Sequence, residues 1–169
     1  LGAARATREI DATGLAVAPG FINMLSQSQT SLLQDGRSQS EIRQGVTLEV
    51  MGEGSSMGPL NDAMKAEMAA TQGDIKFTVE WATLGEYLAC LERRGVSCNV
   101  ASFVGAGTVR RHEIGNVNRP PTPAELARMQ ALVRAAMEEG AMGLSTALIY
   151  LPGVFAQTDE IVALARAAA

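Results

Sequence analysis

Histidine, cysteine and positive charge are all in short supply in this sequence, and each shortage closes off a class of function. The one histidine, His112, lies in the polar run Arg110-Arg111-His112-Glu113, where a surface loop position is the natural reading and a metal-ligand role is not. Two cysteines, Cys90 and Cys98, are too few for a disulfide framework and have no Cys-x-x-Cys or histidine partner. They read as small buried hydrophobes, and a reducing cytoplasm is the expected setting. Lysine and arginine number 14 against 18 acidic residues, a net charge of −4, so no nucleic-acid surface is expected. The pairs Arg93-Arg94 and Arg110-Arg111 read as solvated helix or loop ends. No apolar run approaches the roughly 20 residues that cross a bilayer, so no membrane contact is expected. The start, Leu1-Gly2-Ala3-Ala4-Arg5, lacks the apolar region of a secretory signal.

What is present is apolar. Hydrophobic residues make up 47% of 169 positions and charged ones only 19%, enough for one sizeable folded core. The chain is organised around Leu15–Gln29, which begins apolar, is broken by Pro19-Gly20, resumes as Phe21-Ile22-Asn23-Met24-Leu25 and then turns polar. That pattern fits a buried strand whose far end opens into a site. Further strands are expected at Val46–Met51, Cys98–Val104 and Met142–Thr146, with a short edge strand at Phe77–Val79. Between them lie helix starts with a physical basis. Ser38 and Glu41, Thr83 and Glu86, and Thr122 and Glu125 each have the serine or threonine and the glutamate of a capping box, the last with Pro123 at the first helical position. The Ser38 helix should carry Ile42 inward, and Asn61 or Asp62 should cap the helix that holds Met64 and Met68. Thr158 starts a final helix that stops at Ala169 without a terminator, while the residues up to Ile10 read like the last hairpin of a small β domain. Both ends therefore look cut from a longer protein.

Four strands that alternate with helices give an α/β protein, either half of a (β/α)8 barrel or part of an open doubly wound sheet. In both, chemistry sits at the carboxyl ends of the strands, which here are Leu25–Gln29, Gly52–Ser56, Val104–Thr108 and Ser145–Tyr150. A dinucleotide turn at Gly52-x-Gly54-x-x-x-Gly58 is a weak rival, because its spacing departs from Gly-x-Gly-x-x-Gly and Asp74 sits in a polar loop.

Val17-Ala18-Pro19-Gly20-Phe21-Ile22-Asn23, Gly45-Val46-Thr47, Asn99-Val100-Ala101, and Gly140-Ala141-Met142-Gly143-Leu144-Ser145-Thr146 through Tyr150-Leu151-Pro152-Gly153 carry a resemblance. Together they resemble the N-acyl-D-amino-acid deacylase branch of the amidohydrolase superfamily, with the Gly-Leu-Ser-Thr to Tyr-x-Pro-Gly run as the most specific part. The resemblance implies the first half of a metal-dependent (β/α)8 barrel, preceded by the remnant of a small β-sandwich domain. Residues 1–16 would end the sandwich and 17–169 would supply the first four β/α units. It implies a small-molecule amide substrate, the amide bond of N-acyl D-amino acids, and Zn2+ or another divalent metal as cofactor.

The departures from the family pattern are as informative. The family's first-strand His-x-His is Leu25 and Gln27 here, and the histidine of Gly-His-Gly after the third strand is Ala106. Neither leucine nor a neutral amide replaces imidazole as a ligand. Near the place where a cysteine often binds the metal, this chain has Glu53 between Gly52 and Gly54. Glu53 is therefore the candidate metal ligand, against the plain reading of a solvated loop glutamate. Tyr150 is the candidate substrate contact, against the plain reading of a half-buried aromatic with a wet hydroxyl. Ser145 and Thr146 have no histidine or lysine partner, so a nucleophilic serine is not expected. The family's remaining metal histidines and its water-activating aspartate lie on later strands, so no catalytic base is assigned. A barrel that has lost its chemistry and acts as a binding or regulatory protein is the alternative, motivated by the three missing histidines.

Overall fold

The computed structural model describes residues 6–169. The expected N-terminal hairpin lies partly outside them, and residues 6–20 carry no strand. The elements then follow in order: β1 (Phe21–Asn23), α1 (Ser31–Gln34), α2 (Gln39–Ile42), β2 (Val46–Met51), α3 (Asp62–Ala70), α4 (Leu84–Arg94), β3 (Asn99–Ser102) and β4 (Val104–Gly105). They continue with α5 (Ala106–Ile114), α6 (Pro123–Glu138), β5 (Leu144–Ser145), a 3-10 turn at Gly153–Phe155, and α7 (Thr158–Ala168).

β2 lies between β1 and β3, parallel to both, with Ile22 opposite Leu48 and Val50 opposite Ala101. β4 pairs in parallel with β5. The two groups are joined through the backbone, where Phe103 N donates to Met51 O and Met142 N to Ser102 O, each at 2.9 Å. The strands thus run in sequence order. Every crossover steps the same way, and the right-handed rule then sends the helices to one face. No reversal of strand order, the mark of a doubly wound sheet, occurs among the described strands.

The core lies between sheet and helices, where Trp81, Leu84, Tyr87, Leu91, Val104, Val109, Met129, Val133 and Leu164 are essentially inaccessible. At the β1 margin Phe21, Ile22, Met24 and Leu25 are all largely exposed, as are Ile149 and Leu151 beyond β5. Apolar margins of this kind invite pairing with further chain.

Two capping boxes form as the spacing predicts. Thr83 N donates to Glu86 Oε2 at 3.1 Å and Glu86 N to Thr83 Oγ1 at 3.2 Å. Thr122 and Glu125 exchange the same bonds at 2.7 and 3.3 Å. Asn61 caps α3 by accepting from Met64 N at 2.9 Å, and its Nδ2 donates to His112 O on α5, also at 2.9 Å.

The third box does not form. Ser38 has φ 45° and gives α2 no side-chain cap, because its hydroxyl donates instead to the Glu49 carboxylate. Glu49 is fully buried, and Ser26 Oγ donates to its other oxygen at 2.7 Å. Burial pushes this carboxyl up, but hydrogen bonds from Ser38, Ser26 and Ser28 outweigh it and hold the pKa below the ordinary glutamate value. Satisfying a buried charge takes precedence over capping a four-residue helix, which leaves Ile42 36% exposed rather than turned inward.

Three further expectations are corrected. Phe77–Val79 is not a strand; Phe77 stacks on Trp81 with ring centroids 6.0 Å apart. The Gly105–Thr108 loop is the start of α5, whose missing side-chain cap is replaced by Gly54 O, which accepts from Gly107 N at 2.9 Å. Arg110 is not a solvated helix end. It is fully buried in an ion pair with Glu160 of α7, and its Nη2 donates to Val117 O and Arg119 O at 3.0 and 2.7 Å. Cys90 and Cys98 are free and buried, as read from the sequence.

Candidate functional site

The carboxyl ends of the strands lead into one cleft of about 450 Å³, three through loops and one through the first turn of α5. Gln27 and Gln29 enter it after β1, Glu53 to Ser56 after β2, Gly107 and Thr108 after β4, and Ala147 to Gly153 after β5. The position follows from the parallel sheet, since every strand points its carboxyl end the same way.

The loop after β2 is held from both sides. Ser145 Oγ accepts from Gly54 N at 3.0 Å and donates to Gly52 O. On the other side Thr108 Oγ1 accepts from Ser56 N at 2.8 Å, and Ser56 Oγ accepts from Gly105 N at 3.0 Å. Contact is close enough that a Cβ on Gly105 would lie 2.5 Å from Ser55 Cα, and one on Gly54, whose φ is +64°, would lie 2.4 Å from Ala147 Cβ. These bonds also occupy loop N–H groups that a dinucleotide phosphate would need. The glycines serve the approach of two loops, and Ser145 is a latch between them.

Glu53 therefore projects from a fixed backbone and is exposed at the cleft. Tyr150 also lines the cleft and is 63% exposed, so it is not packed as a half-buried aromatic. Gln27 is exposed there too, whereas Leu25 is 54% exposed outside the lining and Ala106 is buried at the first position of α5. Among the described residues no group of three or more histidine, cysteine, aspartate or glutamate side chains is placed to hold a metal ion. Of the positions that the family pattern assigns to metal binding, only Glu53 offers an anionic donor.

His112 is in a helix, not in a surface loop. It lies in α5, half-buried, and among the described residues its Nδ1 is buried without a hydrogen-bond partner. Burial pushes its pKa below the ordinary histidine value, against a smaller opposing pull from Glu113. The fold therefore holds the neutral ring, while the unfolded chain takes up a proton at the ordinary value. Stability from this group is complete above that value and is lost as pH falls toward the lowered one. Between about pH 7.5 and about pH 5.5 the urea midpoint should drop further for the natural chain than for His112→Gln. Equal drops would show that the ring is not held neutral.

Met64 and Met68, read from the sequence only as the apolar side of a helix, and Glu67, which the sequence did not single out, help complete the cleft. α3 turns Met64, Glu67 and Met68 toward it at i, i+3 and i+4 spacing, and α5 adds Arg111, which is ion-paired with Glu67. The spacing was visible in the sequence. The facing of α3 and α5 was not, because the polar Arg110-Arg111-His112-Glu113 run reads as a loop.

A parallel β/α fold with its cleft at the strand ends, walled by two methionines of one helix and opened by an acid on a glycine turn, defines a β/α scaffold with one candidate site. No protein-family model matches the chain. The D-aminoacylase of Alcaligenes xylosoxydans xylosoxydans is 34% identical over 170 residues, 98% of this chain and 34% of that protein. The N-acyl-D-aspartate deacylase of the same organism is 35% identical over 154 residues, 90% of this chain and 31% of its own length. Among solved structures, a D-aminoacylase described by its binuclear metal center superposes with a TM-score of 0.76 at 32% identity, over 88% of this chain and 31% of that one. The N-acyl-D-glutamate deacylase of Bordetella bronchiseptica, complexed with zinc and a phosphonate inhibitor, gives a TM-score of 0.75 at 31% identity over the same shares. The chain is thus similar over most of its length to D-aminoacylase and to N-acyl-D-amino-acid deacylases, and it spans about a third of the length of the curated relatives it matches.

Proposed function

We propose that this chain is the first half of a (β/α)8 barrel, in a metal-dependent amidohydrolase that cleaves the amide bond of N-acyl D-amino acids. The observation that carries the reading is the convergence of the strands' carboxyl ends on the cleft that holds Glu53 and Tyr150. Sequential parallel strands with exposed apolar margins fit one wall of a closed cylinder, with the rest of the wall supplied by further chain. The β-sandwich remnant before residue 17 and a cytoplasmic location belong to the same reading, the latter supported by the two buried free thiols.

A divalent metal, Zn2+ in the first instance, would polarise the amide carbonyl and lower the pKa of a bound water. The residues present do not form its site: Leu25, Gln27 and Ala106 cannot serve, and Glu53 would be this chain's single ligand. What the chain itself provides is placement. The Ser145 and Thr108 bonds fix the Glu53 backbone, and Tyr150 offers a hydroxyl to the substrate at the rim.

In the protein that carries this chain, hydrolysis of N-acetyl-D-methionine should stop on chelation and return with Zn2+. Glu53→Gln should weaken zinc affinity by at least about 10–100-fold, the range seen when groups that only support a metal ligand are removed. Unchanged affinity would remove Glu53 from the ligand set, and activity without any metal would remove the mechanism. The loss of imidazole at three family positions favours a second reading, a barrel that binds the same amides without cleaving them. Substrate binding that survives chelation, with no turnover at any metal concentration, would select it.

A further inference from the structure

The charges inside the cleft are unevenly matched. Of the acidic and basic side chains that line it among the described residues, Glu53 and Glu67 are acidic and Arg111 is basic, and Arg111 is paired to Glu67. The wall beside that pair is apolar, with Met57, Leu60, Met64 and Met68. Met57, Leu60 and Met64 are buried behind the surface, so this wall is part of the packed core. Methionine walls suit flexible, uncharged groups, because the unbranched thioether repacks around different shapes.

We infer, on the reading of the cleft as an N-acyl amino acid site, that it selects substrates with uncharged apolar side chains and disfavours acidic ones, with Glu67 as the residue that enforces the choice. An acidic side chain would need a free cation, and Glu67 already occupies the one the lining offers. It would also lose water against the methionines. The α-carboxylate common to all such substrates cancels from the comparison, so the selection rests on the side chain alone. Glu67 is a specificity residue here and has no part in bond cleavage.

Binding of N-acetyl-D-methionine and of N-acetyl-D-glutamate to the metal-free protein, followed by titration calorimetry at low salt, tests this. The natural protein should bind the methionine derivative several-fold more tightly. Glu67→Gln should shift the ratio toward the glutamate derivative by about tenfold, because it frees Arg111. Glu67→Gln combined with Arg111→Gln should lose that shift. Glu67 is more than half exposed on α3, so the fold should tolerate its replacement. Equal affinities in the natural protein, or a ratio unmoved by Glu67→Gln, would overturn the inference and leave the N-acyl amino acid reading in place. If neither compound binds, that reading falls and the inference with it.

Discussion

Arg110→Ala should lower the free energy of unfolding by about 3–5 kcal/mol, measured by chemical denaturation at neutral pH. The guanidinium is fully buried between α5 and α7, and its partner Glu160 is 4% exposed. Two of its bonds go to the carbonyls of Val117 and Arg119, which turn the chain from α5 toward α6. Alanine would leave a buried carboxylate with no counter-charge and two carbonyls with no donor, each a desolvation cost that nothing offsets. Even now the pair is imperfectly satisfied, since Arg110 Nε and Glu160 Oε1 are buried without partners among the described residues. Arg110→Met together with Glu160→Leu should therefore recover the part of the loss that comes from the uncompensated carboxylate, while the Val117 and Arg119 carbonyls still lack their donor. A loss below about 1 kcal/mol for Arg110→Ala, the range of exposed pairs, would mean that water reaches the pair in solution.

Glu49 shows how far local sequence could be read, and where it stopped. The Ser38–Glu41 spacing is sound capping chemistry, yet the serine hydroxyl is diverted to a carboxylate 11 residues on. Nothing in the sequence marks Glu49 as buried: it sits mid-strand between Leu48 and Val50, where a glutamate on a half-exposed strand would look the same. Ser26 is the other donor, so this one side chain ties the turn after β1 to β2 and helps set where Gln27 enters the cleft. The elements that were legible are those whose signals are self-contained. Thr83 with Glu86 and Thr122 with Glu125 answer each other within four residues, so tertiary packing had nothing to override. α5 was illegible for the opposite reason. Its first turn carries Gly107 and Thr108, poor helix formers, and its cap is the carbonyl of Gly54, more than 50 residues away in sequence. The strand-end rule located the cleft without these details, because it depends only on parallel order, whereas the placing of Glu67 and Arg111 in its lining depended on the hidden helix.

Trp81→Ala should cost about 3–5 kcal/mol, the usual range for removing a large buried aromatic. Trp81 is 1% exposed, stacked by Phe77 and tilted against Tyr87 with centroids 5.2 Å apart. It also reaches the cleft. Its Nε1 donates to Met57 O at 2.6 Å, and Tyr87 OH donates to Gln29 O at 2.9 Å, so adjacent rings hold two cleft-lining residues by their backbones. Trp81→Phe separates packing from this tether. It keeps most of the apolar volume and leaves the Met57 carbonyl without its donor, an expected loss of about 1–3 kcal/mol. If the indole acts as a tether, Trp81→Phe should weaken binding of N-acetyl-D-methionine as well as stability, because Met57 loses its fixed position in the wall. Lowered stability with unchanged binding would confine Trp81 to the core and leave the methionine wall to hold its own shape.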